Sequence, residues 1–277
     1  MQFLRLIVAA AWAAVTVPAW AATYYVAPTG RDAAAGTQAA PWQSFAHAQA
    51  IARPGDTVYF RGGRYTYTRA TTSCASRRAT VSAIVLDKSG TQDAPIRYWA
   101  YPGETPVFDF SAMKDDCRVK GVEVVADWIH LKGLEITGAP QQPDNRLNHE
   151  SWGVWINGNH DVFERLDLHH NMGPGLFIKD GGWNLVLNSD SHHNYDPYTS
   201  NGAGQSADGF GAHHRAMLSA PASIDQGATM QAFMSIEYRF TTSEGMTLAA
   251  PNARRLTSTQ DRGRHSTNPT RPLRQMF

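Results

Sequence analysis

The sequence predicts an all-β fold: a solenoid of stacked parallel β-coils, incomplete, with a short N-terminal capping helix and an irregular C-terminal tail. Internal repetition is the main reason. Gly153-Val-Trp-Ile-Asn157 and Gly175-Leu-Phe-Ile-Lys179 each set glycine before alternating apolar residues, 22 positions apart. Gly121-Val-Glu-Val124 and Gly209-Phe-Gly-Ala212 echo them across longer gaps. A second triplet recurs between these, as Leu134-Glu-Ile136, Leu166-Asp-Leu168 and Ser189-Asp-Ser191. Its last two copies run into His169-His170-Asn171 and His192-His193-Asn194, 23 apart. The third observation is texture. From residue 23 to about 214, short β-branched or aromatic runs alternate with Gly, Asn, Asp and Pro, and helical periodicity is almost absent. Periods of this size, with two or three strands each, belong to parallel β-helices. One coil cannot bury its own apolar face, but a stack can. A β-sandwich would explain the turns and not the recurring triplets.

The elements follow in order. Residues 1–21 read as a secretory signal: a basic start at Arg5, an apolar stretch too short to anchor in a bilayer, Pro18, and the small-residue site Ala19-Trp20-Ala21. The expected location is extracellular or periplasmic, with no membrane span after signal removal. Residues 44–51 form the one expected helix, with Ser44 as N-cap and Pro54-Gly55 as its stop. It would cover the open end of the sheet stack. Residues 56–60 then read as a strand and Gly62-Gly63 as the turn out of it. Cys74 and Cys117 are the only cysteines, and export makes them candidates for a disulfide. The net charge of +1 provides no global field, so nucleic acid is not an expected partner and any acidic ligand must be read locally. Two polar insertions, residues 137–151 and 195–206, interrupt the period, and in solenoids such loops build binding clefts. Trp152 and Tyr198 lie in or beside them and are the candidate sugar-binding aromatics.

A family resemblance sits on these residues. Asn188-Ser-Asp-Ser-His-His-Asn-Tyr-Asp-Pro197, a Gly/Ser/Asn-rich loop and Ala207-Asp-Gly-Phe-Gly211 resemble the central block of the ninth family of polysaccharide lyases. These are secreted pectate and exopolygalacturonate lyases. Tyr24-Tyr-Val-Ala-Pro28, Pro41-Trp42-Gln43-Ser44 and Arg53-Pro-Gly-Asp-Thr-Val-Tyr59 are similar as well, though many β-helix carbohydrate enzymes share such phrases. The resemblance implies a right-handed parallel β-helix over residues 22–214 and calcium-dependent β-elimination of polygalacturonate. Eliminating across a uronate removes a proton beside a carboxylate, and a cation must neutralise that carboxylate and the developing enolate. It implies Asp208 as a calcium ligand, with Asp190 and Asp196 as weaker ligand candidates. The family's downstream acidic cluster and its lysine base have no match here: Lys179 is the last lysine, and Asp225 and Asp261 stand alone. No catalytic residue is therefore assigned, and Ca2+ is expected at an incomplete site. The expected partner is an acidic polysaccharide, bound by a monomer.

From residue 215 the texture changes. Eight arginines face four acids, Trp and Lys are absent, and Val and Ile nearly vanish. Residues 215–277 thus read as a disordered or frameshifted tail. In the frame one base earlier, the codons of His214 to Leu218 permit the Pro-Gly-Asn-Val phrase with which the family continues. The paired histidines read as a hydrogen-bonded ladder in preference to a zinc or nickel site, with His213-His214 out of phase. The column Glu135, Asp167 and Asp190 reads as a solvated face. Three functions stay open: a pectate-type lyase inactive as this chain stands, a non-catalytic carbohydrate-binding β-helix, and a lyase acting on another uronate such as alginate or a glycosaminoglycan.

Overall fold

The computed structural model describes residues 21–76, 79–142, 150–199, 204, 206–212, 239–241 and 247–249, the last two segments by backbone alone. The signal segment through residue 20, His213, His214 and most of the expected tail lie outside the described residues. Three sheets run the length of the stack. The first holds β1 (Thr23–Val26), β2 (Thr57–Phe60), β5 (Ile96–Ala100), β8 (Ile129–Lys132), β11 (Val162–Glu164) and β14 (Leu185–Leu187), in that order. The second holds β4 (Thr80–Leu86), β7 (Arg118–Val124), β10 (Trp152–Ile156), β13 (Leu176–Ile178) and β16 (Phe210–Ala212). The third holds β3 (Gly63–Thr66), β6 (Pro106–Asp109), β9 (Glu135–Thr137), β12 (Asp167–His169), β15 (Asp190–His192), β17 (Arg239–Thr241) and β18 (Thr247–Ala249). From β2 to β16 each coil gives one strand to each sheet, and all described pairings are parallel except β17 with β18. The chain is a parallel β-helix. Strands β17 and β18 fall within the expected tail and extend the third sheet.

The register matches the repeats. Val154 pairs with Val122 and Leu176, and Leu176 with Phe210. Asp167 lies between Glu135 and Asp190. Alternation along each strand sends every second side chain inward, so the interior is three columns. Val58, Tyr98, Leu131, Phe163 and Val186 come from the first sheet, and Tyr65, Phe108, Ile136, Leu168 and Ser191 from the third. Val122, Val154 and Leu176 from the second complete the filling.

The corners need left-handed backbone. Between the first and third sheets the corner residue is Gly133, then Arg165, then Asn188, with φ of 70°, 52° and 46°. After the third sheet the same position holds Gly138, His170 and His193, at 79°, 53° and 52°. Non-glycine residues there carry a steric cost that the stacked neighbours must offset.

Helix α1 (Phe45–Ile51) starts one residue after the expected cap. The Ser44 hydroxyl accepts from the His47 amide at 3.1 Å and donates to Asp32 at 2.7 Å. Phe45 is fully buried against Phe60, Tyr98 and Phe108 and plugs the first coils. Cys74 and Cys117 form a disulfide, with Cα atoms 5.9 Å apart, tying the loop before β4 to the start of β7. Among the described residues no helix is long and apolar enough to cross a membrane.

Candidate functional site

The residues singled out from sequence gather around the later coils, where the chain passes from the third sheet to the second. Asp208 lies directly before β16 and is exposed, and its carbonyl accepts from the Gly175 amide of the coil below at 3.0 Å. An Asp208 carboxylate oxygen hangs over the outer face of β16, 3.6 Å from where a side chain on Gly211 would begin. Glycine at 211 makes room for the Phe177 ring, whose edge lies 2.7 Å from that same point. Asp196, at the root of the 195–206 loop, is buried instead. One of its oxygens accepts from the Ser206 amide at 3.1 Å, while the other has no hydrogen-bond partner among the described residues. Asp190 is exposed on β15, in a different sheet from Asp208. The three acids proposed as ligands are therefore not one cluster.

The two aromatic candidates fare differently. Tyr198 is 40% exposed, its amide bonded to the Gln141 side chain at 3.1 Å, and Tyr195 beside it is exposed too. Their phenol rings stand out from a fixed loop base. Trp152 is only 1% exposed, with the Arg118 guanidinium 4.4 Å above its ring and Trp155 edge-on at 4.4 Å. It has no free face for a sugar, which corrects the sequence expectation. Trp152 pairs in register with Lys120 and is covered by Arg118 and Trp155, while Trp155 points outward with Phe177, centroids 5.4 Å apart. Beside Trp155, Lys120 pairs with Glu123 at 2.6 Å and lies 4.7 Å from the Trp155 ring. The outer face of the second sheet is thus an aromatic and charged strip leading toward Asp208.

The histidine ladder forms as expected and is more elaborate than expected. His169 stacks on His192 at 5.0 Å, and His170 on His193 at 5.3 Å, the rings nearly parallel in each case. Within each coil the two Nδ1 atoms face each other at 2.7 Å. Burial, and then the neighbouring imidazoles His169, His193 and His192, hold His170 below its ordinary pKa. The acid column does not simply face water. His169 Nε2 meets Glu135 at 3.0 Å, and His192 Nε2 meets Asp167 at 2.8 Å, each reaching diagonally to the coil below.

Calcium, the ion implied by the resemblance, takes about six to eight oxygen ligands. Among the described residues, the one group of three or more metal-ligand side chains is Glu135, Asp167 and His169, and Asp208 is not in it. The described residues at Asp208 do not fit a calcium cage.

Comparison with known proteins agrees with this architecture. A family model described as the Pel9A-like right-handed β-helix region matches residues 24–221. Pectate lyase L of Dickeya chrysanthemi is 36% identical over 194 residues, which is 68% of this chain and 40% of that protein. Pectate lyase PEL9 of Emericella nidulans is 32% identical over 215 residues, 69% of this chain and 43% of that protein. The chain thus spans about two fifths of the length of these curated relatives. Among solved structures, a rhamnogalacturonan lyase superposes with a TM-score of 0.62 at 31% identity, over 69% of this chain and 46% of that one. Pectate lyase Pel9A gives 0.54 at 34%, over 68% and 43%. With its three parallel sheets and a match over most of the coils, the chain belongs to the Pel9A-like right-handed β-helix family.

Proposed function

We propose that this chain is a secreted, pectate-lyase-like β-helix that binds an acidic, uronate-containing polysaccharide along its later coils. In this reading it does not itself carry out the calcium-dependent β-elimination of the family. The observation that carries the reading is the extent of the family match, residues 24–221, which includes the exposed Tyr198 and the exposed Asp208. Exposed phenols stack on the apolar faces of sugars, and a polyanion needs cations or hydrogen-bond donors nearby. Elimination needs more: a cation beside the substrate carboxylate and a base to take the proton. With Lys179 the last lysine, the family's base has no counterpart in this chain.

Affinity electrophoresis through gels containing polygalacturonate tests the binding. Retardation is expected, and Tyr198→Ala should reduce it while leaving the thermal unfolding temperature unchanged. Wild-type mobility equal to that in a gel without polysaccharide would refute the reading. A second reading rests on the higher TM-score to the rhamnogalacturonan lyase. Stronger retardation by rhamnogalacturonan than by polygalacturonate would favour it, and stronger retardation by alginate would favour neither.

A further inference from the structure

The ladder on the third sheet has a feature that sugar binding does not use. Its outward positions form two adjacent columns. Glu135, Asp167 and Asp190 occupy one, and Thr137, His169 and His192 the other, two residues further along each strand. The diagonal pairing brings an acid and an imidazole of neighbouring coils together twice. At the lower junction the ligand atoms of Glu135, Asp167 and His169 all lie within 4.8 Å of one another. His192 closes on the same Asp167 from above, at 2.8 Å.

From this geometry we infer a binding site for one divalent transition-metal ion, of the zinc class, held by Glu135, Asp167 and His169. The site is independent of the polysaccharide reading and lies on a different sheet from Asp208.

The donor set selects the ion. An imidazole nitrogen with two carboxylate oxygens suits zinc, nickel or copper, whereas calcium prefers an all-oxygen shell. The spacing is compatible. Ligand atoms about 2.0–2.2 Å from a zinc ion lie roughly 3.4 Å apart in a tetrahedral shell. The 3.0 Å between His169 Nε2 and Glu135 is close to that, and the Asp167 ligand atom lies within 4.8 Å of both. The site is anchored from behind as well. His169 Nδ1 faces the Thr137 hydroxyl at 3.2 Å and His170 Nδ1 at 2.7 Å, and the His192 ring lies flat against it. Partners on the second ring nitrogen fix the tautomer and ring orientation of a ligating histidine. With side-chain exposures of 16% for His169, 21% for Glu135 and 48% for Asp167, the ion would enter from solvent and keep water in its open position. Because Glu135 and Asp167 come from neighbouring coils, the ion would also clamp the two coils together.

The test is calorimetric titration of the full chain with zinc chloride at neutral pH, with calcium chloride as the comparison. One equivalent of zinc should bind, calcium should not compete, and thermal unfolding should shift upward with zinc in excess. Glu135→Gln and His169→Gln, at partly exposed positions, should weaken zinc binding at least about tenfold. Circular dichroism of the metal-free variants would verify that they fold. Asp208→Asn should bind zinc as the wild type does. His170→Ala, which removes one of the two partners on His169 Nδ1, should weaken zinc binding less than His169→Gln does. Absence of zinc binding, or binding that survives both Glu135→Gln and His169→Gln, would overturn the assignment. So would binding abolished by His170→Ala and untouched by Glu135→Gln, which would place the ion between the paired Nδ1 atoms instead.

Discussion

The interior of the first coils and that of the last described coils are filled by different means. Phe45, Phe60, Tyr98 and Phe108 are fully buried in the first, with ring centroids 4.5–5.6 Å apart, and α1 seals the end. Following the third-sheet column upward, Phe108 gives way to Ile136, then Leu168, then Ser191. Ser191 fills no space to speak of. Its hydroxyl donates to the Gly209 carbonyl at 2.8 Å and accepts from Asn194 at 2.9 Å. Asn194 in turn accepts from the Asn171 backbone amide at 3.0 Å, and Asn171 from that of Ala139 at 3.1 Å. Early coils are held by area removed from water, and later ones are pinned by buried polar ladders. Pinning fixes backbone positions without a thick apolar filling, which suits the region where Asp208, Tyr198 and the histidine column are displayed.

Four substitutions can break or sharpen that contrast. Phe108→Ala should be the most damaging, costing about 3–5 kcal/mol by analogy with other buried phenylalanines. Chemical denaturation would measure it, and a loss below about 1 kcal/mol would mean the aromatic cluster is not what holds the early coils. Replacing Cys74 and Cys117 by serine opens a loop spanning 43 residues and should cost about 2–4 kcal/mol. The same loss should appear on reduction of the wild type.

Asp161 gives the third. It is fully buried at the corner after β10, where one oxygen accepts from the Ile129 amide at 2.8 Å and the other has no partner among the described residues. Burial pushes its pKa up to about 8, with Asp127 adding to the effect. The folded protein thus holds a proton that the unfolded chain releases above its ordinary value of 3.8. By linkage, stability falls as pH rises from about 4 to about 8 and levels off outside that window. The next coil places Asn184 at this position, and its amide donates to the Gly158 carbonyl at 2.9 Å. Asp161→Asn should therefore stabilise the protein at neutral pH and flatten the profile. Unchanged pH dependence in that variant would show that Asp161 is ionised in the fold. The smallest effect belongs to Ser191→Ala, which removes the hydroxyl's two hydrogen bonds and should cost about 1–2 kcal/mol. A cost matching that of Phe108→Ala would erase the distinction between the regions.

The coil architecture was legible because its signal is periodic. Val154, Leu176 and Phe210 could be aligned by their preceding glycines, and the structure pairs them in that register. The capping helix was legible from Ser44 as its cap and Pro54-Gly55 as its stop. The side-chain sites were less so, for two physical reasons. Nearness to a polar loop suggested that Trp152 is exposed, yet the Arg118 guanidinium and the Trp155 ring, neither readable as its neighbour from a single column, cover it. The acid–imidazole contacts were hidden because partners lie one coil and two residues apart, 34 positions for Glu135 with His169 and 25 for Asp167 with His192. Reading each column by itself found the ladder and missed the diagonal that joins two columns.

The central claim is that these coils recognise an acidic polysaccharide without cleaving it. The most direct measurement is the ultraviolet absorbance of unsaturated uronate ends when the full chain is incubated with polygalacturonate and excess calcium. The account predicts no growth in absorbance from protein that a polygalacturonate gel retards. A calcium-dependent rise, abolished by Asp208→Asn, would contradict it and place the missing base within this chain.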